Sequence, residues 1–225
     1  MNKNSRDKLP HLWYNLTVDR KIAHQILKLL ASRYPDAACE LSYLSVFELL
    51  VAVILSAQCT DKRVNLVTDK LFKVASSPTD FLLMSQEELE KWIYPCGFFR
   101  QKARSIRSVS KDILEKHGGE VPGDFDALIA LDGVGRKTAN VVLSVAFGQN
   151  NLAVDTHVFR VSRRLGLSNG KNPYEVEKDL VALLQDGEFA QAHHLLIFHG
   201  RYCCKSQNPD CGKCPVISYC TVPKL

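Results

Sequence analysis

The stretch Leu131–Asp155, LDGVGRKTANVVLSVAFGQNNLAVD, is the one around which the rest of the chain is organised. A short turn, Asp132-Gly133-Val134-Gly135, separates two apolar segments, Phe125–Leu131 before it and the run that opens at Arg136. Glycine suits positions where φ is positive or where backbone approaches a ligand closely. Two glycines opening a helix leave main-chain N–H groups directed outward, which predicts a cradle for an anion. Lys137 falls in the first turn of that helix, at the positive end of its dipole, where an ammonium is disfavoured. Asp155, followed by Thr156 and His157, suits the N-cap of the next helix.

Outward from this stretch, the pattern predicts helices and little else. Asp19 caps a segment with Ile22, Ile26, Leu29 and Leu30 at helical spacing, closed by Tyr34-Pro35. Phe47–Ala57 is apolar nearly throughout, which requires burial on most sides. Polarity returns at Ser56-Ala57-Gln58-Cys59-Thr60-Asp61, with Thr60 or Asp61 capping a helix over Lys62–Val74. Ser76–Thr79 is expected as a turn, followed by a helix through Glu87–Ile93. Gly97 marks a turn, and Phe98 and Phe99 stand beside Arg100, Lys102, Arg104 and Arg107. Aromatics next to bases suit a wedge with phosphate contacts; the alternative is two core anchors with a solvated basic face. Val109–His117 continues that helix to Gly118-Gly119. Val158–Leu165, Pro173–Leu184 and Phe189–Gly200 are further helices, and His193, His194 and His199 are expected as packed or capping residues. No segment alternates as a strand does, so the class is all-α.

Charge adds little. Lysine and arginine number 29 against 24 acids, a net +5 with a pI of about 8.7, compatible with a polyanionic partner and common without one. The longest apolar run, residues 41–57, contains Glu48 and several serines and is short for a membrane span. Met1–Leu9 is polar and lacks a leader pattern, and Met1–Val18 is expected as a solvated tail in which Lys3, Arg6 and Lys8 could brush a polyanion. A cytoplasmic chain acting as a monomer, with no membrane, is the expectation.

The C-terminal segment carries the second strong signal. Cys204, Cys211, Cys214 and Cys220 give C-x6-C-x2-C-x5-C. Four close thiols suit tetrahedral zinc or an iron–sulfur cluster, and spacing physics does not choose between them. Cys203 is left as a spare thiol, while Cys39, Cys59 and Cys96 are expected as buried small apolar residues.

These motifs together resemble the endonuclease III family of DNA glycosylases. LDGVGRKTAN matches its helix–hairpin–helix, the Asp of VDTH follows eighteen positions after Lys137, LSAQCTD matches its glutamine loop, and the cysteine spacing matches its cluster loop. The likeness runs over nearly the whole chain and is weakest in the N-terminal tail. It implies a bifunctional DNA glycosylase/AP lyase of base excision repair, acting on double-stranded DNA with oxidised pyrimidines or abasic sites, with Lys137 and Asp155 catalytic. It further implies that Gln58 and Phe98 enter the duplex. Gly133, Val134, Gly135, Arg136, Thr138 and His157 would touch DNA, and the four cysteines would hold a [4Fe–4S] cluster. Two helical lobes are expected, one over residues 38–149 and the other joining 1–37 to 150–225. Asp132 stands where proline is usual, placing a negative charge beside the phosphate site, and the cluster loop is poorer in basic residues than the family pattern. Three rivals remain at this level: a monofunctional mismatch glycosylase, which usually lacks the lysine; a non-catalytic DNA-binding module, which leaves the lysine–aspartate pair unexplained; and a redox protein, which has no use for the hairpin.

Overall fold

The computed structural model describes residues 18–222, so the tail residues Lys3, Arg6 and Lys8 lie outside the described part. Among the described residues there are eleven α-helices and no strand. Most of the helices begin where a short polar side chain satisfies amides that have no partner inside the helix. Asp19 caps α1 (Arg20–Arg33), Ser45 caps α2 (Val46–Ser56), and Thr60 caps α3 (Asp61–Leu71). Reciprocal capping boxes, Ser77 with Asp80 and Ser85 with Glu88, open α4 (Pro78–Leu83) and α5 (Gln86–Ile93). The segment Ser76–Thr79, expected as a turn, is therefore a helix start: proline has no N–H to waste at the first helical position. Helix α6 (Phe99–His117) ends on Gly118 in the left-handed region at φ 62°. Asp124 caps α7 (Phe125–Ile129), and α8 (Arg136–Phe147) follows after the glycine turn. Then come α9 (Thr156–Arg164), α10 (Pro173–Leu183) and α11 (Phe189–Tyr202).

The buried apolar side chains form two main clusters. One gathers α2 to α8, from Phe47 to Leu143, and includes the whole inward face of α6 through Ala103, Ile106, Val109 and Ile113. The other joins Ala23, Ile26, Leu27 and Leu30 of α1 to residues between Leu152 and Val216. A small third cluster, Leu49, Val53, Val141 and Ala153, bridges them along α2 and α8. Helix α2 is buried from Phe47 to Leu55 without interruption, which is why its sequence shows no polar face.

The basic cluster after Gly97 divides in a way its spacing did not suggest. Lys102 is buried, and its Nζ donates to the carbonyls of Leu55 (2.8 Å) and Cys96 (2.8 Å). Arg107 turns inward and donates to the carbonyls of Phe81 and Met84 at the end of α4. Only Arg100 and Arg104 of the four are exposed. The reason is geometric, because the helix turns Lys102 towards the core while its neighbours face out. Lys102→Met would leave two carbonyls without a donor, and we expect a loss of about 1–3 kcal/mol in urea unfolding.

Candidate active site

A cleft of about 770 Å³ is lined by the α2–α3 loop, the start of α6, the glycine turn with α8, the start of α9, and Arg201 of α11. It brings together Gln58, Phe98, Gly133, Lys137, Thr138, Asp155 and His157. Gln58 (φ 51°) and Phe98 (φ 48°) are the non-glycine residues of its rim held in the left-handed region, a strain of the order of 1–2 kcal/mol each that the surrounding fold must offset. Phe98 is 66% exposed, so it is no core anchor, whereas Phe99 packs beside Tyr94.

Gly133 sits at φ 80°, and a Cβ there would fall 2.5 Å from the Ser105 side chain on α6. The hairpin thus lies directly on the helix that carries the aromatic rim. Gly133→Ala combines that overlap with the wrong backbone region, and we expect a thermal-melt loss equivalent to roughly 2–4 kcal/mol. Val134 is buried in the first core, and its amide donates to the Leu131 carbonyl (3.1 Å). No side chain caps α8, so the amides that open this helix are left without a side-chain acceptor. Asp132, expected as a turn residue that sets a negative charge beside the glycine turn, also has its backbone N–H near the Asp112 carboxylate on α6, which it helps to hold below the usual carboxylate range; proline has no such N–H.

Lys137 is in the first turn of α8, and its amine makes no hydrogen bond or ion pair among the described residues. Burial lowers its pKa; the carboxylates of Asp155 and Asp61 oppose that shift without overturning it. The Asp155 carboxylate caps α9 through one oxygen, which accepts from the amides of His157 (2.8 Å) and Val158 (2.8 Å). The cap expected from sequence is there, and the second oxygen has no partner among the described residues. His157 has its pKa lowered, mainly by burial, and its Nδ1 lies 3.2 Å from the Arg160 guanidinium.

Arg136 does not line the cleft. It grips both oxygens of Glu177 on α10 (2.6–3.0 Å), with its guanidinium over the rings of Phe125 (4.9 Å) and Tyr174 (5.1 Å). Planar stacking with a bidentate carboxylate fixes the side chain and ties the start of α8 to α10. Arg201, which the sequence reading passed over, lines the cleft and bridges Asp61 (2.6 Å) and Glu40. Its partners are far away in the chain, so no local pattern marks it. His193 is buried with Nδ1 2.8 Å from the Ala153 carbonyl, a packed histidine as expected.

At the C-terminal segment no disulfide joins the cysteines among the described residues, and Cys204, Cys211, Cys214 and Cys220 are half-buried around two short 3-10 turns, Cys211–Lys213 and Ile217–Tyr219. Arg164 Nη1 donates to Cys204 Sγ (3.4 Å), and His199 Nε2 lies 3.5 Å from Cys214 Sγ. Half-buried sulfurs with nitrogen groups beside them suit a thiolate-bound group, whose binding displaces the thiol protons. Cys203, set aside as a spare thiol, is buried and forms with His199 and Cys214 a group able to hold a metal ion.

Residues 51–186 match the model of the HhH-GPD superfamily base excision DNA repair proteins. The chain is 53% identical to endonuclease III of Bacillus subtilis (strain 168) over 188 residues, 83% of this chain and 86% of that one. It is similar to a solved trapped endonuclease III–DNA covalent intermediate, with a TM-score of 0.87 and 48% identity, covering 90% of this chain and 95% of that one. A non-covalent endonuclease III–DNA complex gives a TM-score of 0.87 at 47% identity, with the same coverage. No helix among the described residues is long and apolar enough to cross a membrane.

Proposed function

Because this chain belongs to the endonuclease III family of HhH-GPD base excision repair proteins, we propose that its cleft excises oxidised pyrimidines through a Schiff base on Lys137. The enzyme is a DNA glycosylase/AP lyase of base excision repair, and its partner is DNA. The observation that carries the finer reading is the unpartnered Lys137 amine, driven towards its neutral form by burial, in the same cleft as Asp155.

The chemistry follows from those two groups. Gln58 and Phe98 hold the opened duplex while the damaged nucleotide enters the cleft, an opening that costs least at a damaged base. The neutral amine of Lys137 attacks C1′; the bond to the base breaks and the base leaves. The Asp155 carboxylate stabilises positive charge developing on the sugar and accepts the amine's proton. The C1′–O4′ bond then opens as O4′ takes the proton held by Asp155, giving an iminium between Lys137 and C1′; this acidifies C2′, and loss of that proton expels the 3′ phosphate. The uncapped start of α8 holds a backbone phosphate of the substrate. Cys204, Cys211, Cys214 and Cys220 would hold the [4Fe–4S] cluster, which when bound supplies four thiolate ties across the C-terminal loop. The division into lobes over 38–149 and over 1–37 with 150–225 is supported by the two main buried clusters, and a cytoplasmic site of action suits a DNA substrate.

The test is incubation of the protein with duplex DNA carrying one thymine glycol, with and without borohydride. A trapped covalent complex together with strand cleavage is expected. Base release without trapping would replace this reading by monofunctional hydrolysis.

A further inference from the structure

Two thiols sit beside the loops that carry Gln58 and Phe98. Cys59 directly follows Gln58, is half-buried rather than core, and lines the cleft. Cys96 ends the 3-10 turn Tyr94–Cys96, two positions before Phe98, and is buried. Although far apart in sequence, the two residues pack into one buried cluster, near enough for their sulfurs to influence each other. Lys102 Nζ ties the two loops together through its bonds to the Leu55 and Cys96 carbonyls, and its charge and that of Arg63 reach the sulfurs. Paired thiols, one open to a cleft and the other buried behind it, are placed for oxidation to a disulfide. Neither takes part in the chemistry of Lys137 and Asp155.

We propose that Cys59 and Cys96 form a redox modification site, joined by a disulfide when hydrogen peroxide reaches the cleft. The Cys59 thiolate attacks one peroxide oxygen; the O–O bond breaks, leaving a sulfenic acid on Cys59 and, after proton uptake, one water. Cys96 then gives up its proton as its sulfur attacks Cys59 Sγ, and the displaced hydroxide takes that proton to form the second water. Two thiols are oxidised by two electrons, and one peroxide is reduced to two waters. The order follows from the surroundings, because burial pushes the Cys96 thiol up to about 11 while Cys59 faces the cleft. The bond links the two loops whose tips stand at φ 51° and 48°, so Gln58 and Phe98 could then move only together. That consequence rests on the proposed role of the two loops in opening DNA, whereas formation of the bond does not.

The experiment treats full-length, cluster-loaded protein with hydrogen peroxide, alkylates the remaining thiols, and maps the digest by mass spectrometry. A cross-linked peptide containing Cys59 and Cys96 is expected, lighter by two hydrogens, reversed by dithiothreitol and absent from Cys59→Ala. The thermal midpoint should rise on oxidation and return on reduction, because a bond that fits the folded geometry restricts the unfolded chain. Recovery of both cysteines as alkylated thiols, or Cys59 carried to a sulfinic acid without the cross-link, overturns the site. A fall in thermal midpoint also overturns it, since the bond would then require the loops to leave their folded positions. The readouts are mass and melting. Failure here therefore leaves the Schiff-base reading standing, and failure of borohydride trapping leaves the dithiol standing.

Discussion

Replacing Lys137 by glutamine is expected to abolish borohydride trapping and strand cleavage, lowering turnover on the order of 10⁴-fold or more. Glutamine keeps length and polarity but has no lone pair able to form the iminium. The phosphate cradle is made of backbone and Asp155 is untouched, so binding to damaged duplex should persist. Parallel measurement of binding and trapping checks this, and a variant that still traps would place the nucleophile elsewhere. The pH dependence is also fixed by the surroundings. Burial lowers the pKa of Lys137 below that of the unfolded chain, so the unfolded state binds more protons across the window between the two values. Wild-type stability should therefore rise with pH through that window. Lys137→Gln should melt at or above the wild-type temperature near neutrality, with the difference shrinking as pH approaches about 10. The single-turnover rate should rise with pH until it passes the lowered lysine pKa, then level off.

Asp155 has two roles that substitution can separate. Asp155→Asn retains a good helix cap, because an amide oxygen can accept from the amides of His157 and Val158 as the carboxylate does. It removes the charge that would meet the cationic sugar, so a fall of roughly 10²- to 10³-fold in base release is expected with little change in melting. Asp155→Ala removes charge and cap together. It should show the same kinetic loss with a further cost of about 1 kcal/mol in stability. Single-turnover rates and thermal melts on both variants check this. Equal rates for wild type and Asp155→Asn would leave the residue only a cap.

Local signals carried a large part of this protein. Several helix starts were legible where one short polar side chain meets amides within three residues, as at Asp19, Thr60 and Asp155. The glycine turn, the lysine behind it and the cysteine spacing were equally local, and their combination pointed to the family. The misreadings share one cause. Pro78 looked like a turn residue and is a helix start, because the two settings share the same φ. Lys102 and Arg107 looked like part of a surface basic patch and are inward-facing caps for α2 and α4.

The sequence by itself determined which elements form, where they start, and which residue types of the site exist. Helix capping, apolar periodicity and glycine turns act over a few residues, so they are written in neighbouring letters. Only the tertiary structure decided which charges are free. Arg201 reaches Asp61 and Glu40 across the cleft, and Lys102 finds carbonyls of two separate elements. The lowered pKa of Lys137 likewise comes from what packs around it, not from its neighbours in the chain. Burial and long-range pairing depend on which helices meet, and a pattern read over a few residues does not contain that.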